Sequence, residues 1–150
     1  MPKLLSNYIE LHVSFNNKYL LLKRSPHSTI YPGIWQMITG GIEDNEPTKD
    51  TIIRELREET GLSPKHIFIV PRVNMFYLQF HDAVCLTPVF LAFVNSDEVI
   101  ISNEHTEYKW VSYEEALDLI HWENQKESLR TIQNYLSDQK LYEKLIEMKL

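Results

Sequence analysis

Gly40-Gly-Ile-Glu-Asp-Asn-Glu46-Pro-Thr-Lys-Asp-Thr-Ile-Ile-Arg54-Glu55-Leu56-Arg57-Glu58-Glu59-Thr60-Gly61-Leu62 is the stretch on which the reading of this chain turns. Pro47 suits the first turn of a helix, where a missing N–H does no harm. Gly61 suits the position just past its end, where a left-handed conformation is wanted. Ile52, Ile53, Leu56 and Thr60 supply the core-facing stripe. Glu55, Glu58 and Glu59 fall on the neighbouring arc as an i, i+3, i+4 set. Like charges so spaced are unfavourable by roughly 0.2–0.5 kcal/mol per pair. Acids near a helix C-terminus also oppose its dipole, by about 0.3–1 kcal/mol each. A hard divalent cation reverses both signs, because Mg²⁺ takes oxygen ligands from carboxylates, phosphates and water. Arg54, one turn before Glu58, is placed to pair with it.

The spacing around the helix carries more. Gly40, five residues, Glu46, seven residues, then Arg54-Glu-Leu-Arg-Glu-Glu-Thr-Gly-Leu62 resembles the Nudix box. Each defining position, Gly40, Glu46, Arg54, Glu55, Leu56, Glu58, Glu59, Gly61 and Leu62, is present. The resemblance to Nudix hydrolases implies an α+β fold: a mixed β-sheet sandwiched between α-helices, with residues 40–62 as a loop–helix–loop. It implies Glu55, Glu58 and Glu59 as ligands of Mg²⁺, with Mn²⁺ as a substitute, and the Gly40 carbonyl completing the site. Arg54 becomes the orienting partner, and Glu46 either a support for the loop or a contact to the metal through water. The reaction implied is attack of water on a phosphorus of a diphosphate joined to another moiety.

At 150 residues the chain is expected to be one domain, 1–150. An apolar content of 43% suffices for a core, and the formal charge of −6 argues against a surface for nucleic-acid polymers. The lone Cys85 reads as a packing residue. With no secretory leader or membrane-length apolar run, the cytoplasm is expected and no membrane partner is. Relatives also form homodimers, which the resemblance extends to this chain.

Tyr8–Phe15 and Tyr19–Lys23 read as strands joined at Asn16-Asn17. Ser25–Gly33 reads as a loop, and Trp35–Ile42 as the strand entering the box. Ile67–Phe80 and Val84–Val94 read as antiparallel strands around His81-Asp82, and Glu107–Val111 as a shorter strand. Ser112 with Glu115 makes a capping box for a helix over Ser112–Ile120. Apolar spacing from about 124 to 148 predicts a helical tail, broken near Ser137-Asp138.

Glu104-His105-x-x-Tyr108-Lys109-Trp110 is similar to a segment of pterin-triphosphate and deoxynucleoside-triphosphate pyrophosphohydrolases of the family. There Glu104 corresponds to a loop acid that reaches the metal site and serves as general base; read alone, it is equally an exposed loop acid. Arg24 and Lys23 correspond to basic residues that contact substrate phosphates, or are charges that protect an edge strand. Trp35 could stack on a flat ring or fill the sheet–helix seam. Tyr77, with Gln79 and His81 on one strand face, could line a ring pocket or face solvent. The six histidines show no zinc-ligand spacing and read as ordinary surface or core residues. Signatures for coenzyme A and NADH are absent, as is the proline that ADP-ribose hydrolases carry beyond the box. The resulting expectation is a Mg²⁺-dependent pyrophosphohydrolase that cuts a nucleoside triphosphate or dihydroneopterin triphosphate to a monophosphate and pyrophosphate. Dinucleoside polyphosphates and nucleotide sugars are the alternative substrates. A nucleotide sensor without catalysis is the remaining class, and it fits poorly with a box whose acids are intact.

Overall fold

The computed structural model describes residues 1–150. Strands β1 (Lys3–Leu5), β2 (Tyr8–Phe15), β3 (Lys18–Arg24), β4 (Trp35–Gln36) and β5 (Ile38–Gly41) precede helix α1 (Thr48–Thr60). Then come β6 (Pro64–Leu78), β7 (Ala83–Val94), β8 (His105–Val111), α2 (Tyr113–Leu119), α3 (Glu123–Ser137), α4 (Gln139–Tyr142) and β9 (Ile146–Met148). The strands form one mixed sheet with the path β4-β3-β2-β7-β6-β9. β2 runs parallel to β7, while β5 pairs antiparallel with β2 through Ile9↔Gly40 and Tyr8↔Gly41.

Alternation along the strands makes two cores, one on each sheet face. Ile9, Leu11, Leu20, Leu22, Phe90 and Ala92 pack with Ile52 and Leu56 of α1. Tyr19, Leu21, Val89 and Leu91 pack on the other face with Ala116 of α2 and Leu129 and Ile132 of α3. Between α3 and the sheet runs a buried polar network. Asn74 Nδ2 donates to Glu10 Oε1 at 2.8 Å and to Ser128 Oγ at 2.8 Å, and His12 Nε2 lies 2.7 Å from Glu10 Oε2.

Local chemistry explains the joints. Asn16 and Asn17 have φ of 49° and 60°, as a two-residue hairpin turn demands. Pro47 stands just before α1 rather than within its first turn. Gly61 ends the helix at φ 74°, its N–H donating to Arg57 O. Ser112 caps α2 by accepting from Glu115 N at 3.2 Å.

Several sequence expectations change. The strand foreseen over Trp35–Ile42 is interrupted at Met37, whose N–H donates to Gln125 Oε1 of α3 at 2.9 Å instead of entering a ladder. The tail is not helical to 148. Helix stops at Tyr142, and Ile146–Met148 returns as a strand against Ile67–Ile69 of β6. The alternating face foreseen for Tyr77, Gln79 and His81 ends early, because Gln79–His81 forms a 3₁₀ turn.

Candidate active site

The residues of the 40–62 stretch converge through Arg54. Its guanidinium grips Glu46 with two bonds, Nε to Oε1 at 2.7 Å and Nη2 to Oε2 at 2.8 Å. The same Nη2 donates to Gly41 O at 2.9 Å. Nη1 donates to Glu55 Oε1 at 3.0 Å and to Glu58 Oε2 at 3.3 Å. One planar cation therefore joins the end of β5, the entry loop and two acids of α1, a task that fits a fork of five donors. Glu46 also accepts from Thr51 Oγ1 at 2.7 Å and from Glu43 N at 3.1 Å, so it closes the loop that precedes the helix. These hydrogen bonds, Arg54 foremost, hold the Glu46 carboxyl down at about 2, and the paired acids raise Arg54 above its ordinary value.

The three glutamates differ in setting. Glu55 is buried against β5. A Cβ added to Gly40 would stand 2.3 Å from its Cγ and Cδ, so only glycine lets Glu55 lie there. Burial pushes the Glu55 carboxyl up, Arg54 pulls it back, and Glu59 and Glu58 repel it; the net direction is upward. Glu58 is 56% exposed on the rim. Glu59 is buried and faces the segment before β8. Burial pushes it up too, but His105 and the Ser102 hydroxyl outweigh that and the net direction is downward. Ser102 Oγ donates to Glu59 Oε2 at 2.9 Å. His105 Nδ1 lies 2.7 Å from the same oxygen without the alignment of a hydrogen bond. The Glu104 carboxyl touches Glu59 as well.

A hard divalent cation fits this donor set. Two of the carboxylates are buried, all three carry oxygen, and the backbone of Gly40 lies beside Glu55 with no side chain in the way. As they stand, no three acidic, imidazole or thiol side chains close on one point, because Arg54 takes up Glu55 and Glu58.

The other sequence candidates scatter. Glu104 is brought to Glu59. Arg24 lies near it, across a polar cleft of about 430 Å³ lined also by Ser25, Ser28 and Asn103. Its guanidinium is spent on its own loop, Nε to Ile30 O at 3.0 Å and Nη2 to Ser28 Oγ at 2.9 Å. Lys23 pairs with Glu107 at 3.0 Å and sits 5.7 Å from the Trp35 ring. Trp35 packs with the α2–α3 core, on the face opposite α1. Tyr77 is exposed and donates to Asp82 Oδ1 at 2.9 Å within its own hairpin. No contact joins Lys23, Trp35 or Tyr77 to the box carboxylates. Ser102 and His105 were not foreseen as site residues. Ser102 has no signal in the sequence beyond lying two residues before Glu104, and His105 stands within the Glu104–Trp110 segment without a ligand spacing to mark it.

Comparison with known proteins adds a family. A family model described as NUDIX domain matches residues 11–132. The dihydroneopterin triphosphate diphosphatase of Haemophilus influenzae is 27% identical over 135 residues, covering 81% of this chain and 82% of that protein. An RNA pyrophosphohydrolase of Histophilus somni is 35% identical over 98 residues, but the match spans only 53% of this chain and 50% of the relative. Among solved structures, a MutT protein from Methanosarcina mazei Go1 superposes with a TM-score of 0.75 at 25% identity, over 91% of this chain and 98% of that one. No helix of the chain is long and apolar enough to cross a membrane.

Proposed function

The chain belongs to the Nudix family, hydrolases of phosphoric anhydride bonds, and from that premise we propose that it is a Mg²⁺-dependent pyrophosphohydrolase. Its substrate in this reading is a ring-bearing triphosphate, either dihydroneopterin triphosphate or a nucleoside triphosphate, cut to the monophosphate and pyrophosphate. The single observation that carries the reading is the set of three glutamates on one helix, two of them held by Arg54 and the third by Ser102, beside a glycine cradle. The relative that acts on dihydroneopterin triphosphate, aligned over four-fifths of both chains, supports the substrate class.

In this reading Glu55, Glu58 and Glu59, with the Gly40 carbonyl, hold the ion. When bound, the ion supplies charge neutralisation on the phosphate oxygens and an acidified water. Phosphoanhydride cleavage asks little covalent help of the protein, so positioning and charge carry the rate. Arg54 fixes Glu55 and the loop of Glu46, while Glu104, beside Glu59, accepts the proton of the attacking water. Arg24 is the phosphate contact, once it releases its own loop. Lys23, Trp35 and Tyr77 lie apart from the carboxylates, and no contact described above supports a substrate role for them.

A panel of dihydroneopterin triphosphate, deoxynucleoside triphosphates, nucleotide sugars and dinucleoside polyphosphates, followed by ³¹P NMR with Mg²⁺, tests the proposal. Free pyrophosphate from a triphosphate is expected. Turnover confined to the sugars or dinucleotides, or none at all, would contradict it. The arginine gives a further test. Arg54→Lys keeps the charge but cannot grip Glu46 with two parallel bonds. Turnover is expected to drop by about 10–100-fold, the usual cost of losing a group that orients metal ligands. An unchanged kcat in a folded Arg54→Lys protein would remove Arg54 from its role.

The reading includes a homodimer. Leu4, Val73, Met75 and Tyr77 are 57–69% exposed and, with Val84 and Leu86, share the sheet face beyond the end of α1. Apolar patches of this kind mark association surfaces. Sedimentation velocity at micromolar concentration is expected to show a dimer that Met75→Lys dissociates, and a wild-type monomer would refute it.

A further inference from the structure

The segment from Ile100 to His105 is stitched to both sides of the site. Ile100 N donates to Thr60 O at 2.9 Å, which fastens the segment to the end of α1. Ser102 Oγ donates to Glu59 Oε2 at 2.9 Å and accepts from Glu104 N at 3.3 Å. Ser102 O accepts from His105 N at 3.2 Å, which tightens the turn. Glu104 O in turn accepts from Ser25 N at 2.9 Å, the first residue of the loop after β3. That loop is held by Arg24 through Ser28 and Ile30. A single hydroxyl thus stands between a buried carboxylate of α1 and the peptide of Glu104.

We propose that Ser102 is a positioning residue that sets Glu59 and Glu104 together and ties both to the Ser25–Gly33 loop. The inference rests on the reading of Glu59 as an ion ligand given above. Oε2 of Glu59 is committed to Ser102 and to the flank of His105, so the other oxygen is the one left for a cation. The contact from His105 is short but misaligned, so it cannot fix the carboxylate plane; the directional bond comes from Ser102. Without the hydroxyl, Glu59 is free to rotate about its terminal torsion, which is broad for a glutamate. The Glu104 peptide loses an acceptor at the same time. Both changes act on the ion site while the core beneath α1 stays as it is.

The test uses the full chain with Mn²⁺ as the probe, its binding followed by electron paramagnetic resonance without substrate. Ser102→Ala is expected to weaken Mn²⁺ binding by about 10–100-fold, the range for groups that orient metal ligands. Ser102→Thr, which keeps the hydroxyl, is expected to restore it. Ser102→Cys, close in size but a weak donor, carries the test should the Ala chain fail to fold. Wild-type Mn²⁺ binding by a folded Ser102→Ala or Ser102→Cys chain would overturn the proposal, as would a Thr chain as weak as the Ala one. Glu59→Gln run beside them separates the two ideas. If it binds like wild type, the ligand reading itself fails; if it loses binding while Ser102→Ala does not, only the positioning role does.

Discussion

Glu59→Gln is expected to lower turnover on the order of a thousandfold while the protein stays folded and melts slightly earlier than wild type at neutral pH. The first half follows from the stakes at the site. A bound ion contributes several kcal/mol of stabilisation to the charge that develops on phosphate oxygens, and each 1.36 kcal/mol is about a tenfold change in rate. Losing one anionic ligand from the buried end of the set removes a large part of that. The second half follows from electrostatics in the protein alone. Glu59 repels Glu55 from a neighbouring turn, but His105 and Ser102 hold the Glu59 carboxyl below its ordinary value, so its charge stabilises the fold above the carboxylate range and that contribution goes with the charge. Glutamine keeps the shape and still accepts the Ser102 hydrogen bond. A loss of activity far larger than the small loss of stability marks an acid retained for chemistry. Steady-state kinetics with Mg²⁺ beside a thermal melt reads both halves, and full turnover by the variant would overturn the assignment.

Gly40→Ala is expected to be nearly as damaging by a different route. The added methyl would stand 2.3 Å from Cγ and Cδ of Glu55 and 2.7 Å from its Oε1. Glu55 cannot simply swing aside, because Arg54 holds it and Arg54 is itself anchored by Glu46 and Gly41. Overpacking of this kind costs about 1–3 kcal/mol, and a displacement near 1 Å of a reacting constellation costs on the order of 10²-fold in rate. Gly41 is the matched control. Nothing lies within 4 Å of a Cβ placed there, and alanine keeps the carbonyl that Arg54 uses. Gly41→Ala is therefore expected to stay within a few-fold of wild type. Equal tolerance of alanine at both positions would show that the Gly40–Glu55 contact has no functional weight.

The legible part of this molecule was the part encoded within one stretch. Pro47, the Ile52–Leu56 stripe and Gly61 are local signals of a helix and its ends, and they acted locally. The same holds for Asn16-Asn17 and for Ser112, whose chemistry needs no distant partner. The return of Ile146–Met148 as a strand could not be read in that way. Leu141, Leu145 and Met148 satisfy helical spacing, and only the uncovered edge of β6 at Ile67–Ile69 decides otherwise. Met37 breaks its strand for a similar reason, its N–H being drawn to a glutamine 88 residues away.

The site divides along the same line. The acids of α1, Gly40 and Arg54 lie in one motif, and the fold brings them together through contacts within 15 residues or so of sequence. Ser102 and His105 reach Glu59 from across the chain because β8 lies beside β3 and the turn before it meets the end of α1. Alternation assigned Tyr77 to a polar face, but its hairpin extends beyond the core and closes through a 3₁₀ turn. Lys23 and Arg24 are adjacent in sequence and part company for the elementary reason that neighbours on a strand point to opposite faces.

A crystal of the protein soaked in Mn²⁺ and measured at the manganese absorption edge tests the central claim most directly. The expected result is an anomalous peak within about 2.0–2.6 Å of carboxylate oxygens from Glu55, Glu58 and Glu59, with Glu58 turned away from Arg54. A fully soaked crystal with no peak there, and with Arg54 still holding Glu55 and Glu58, would contradict it.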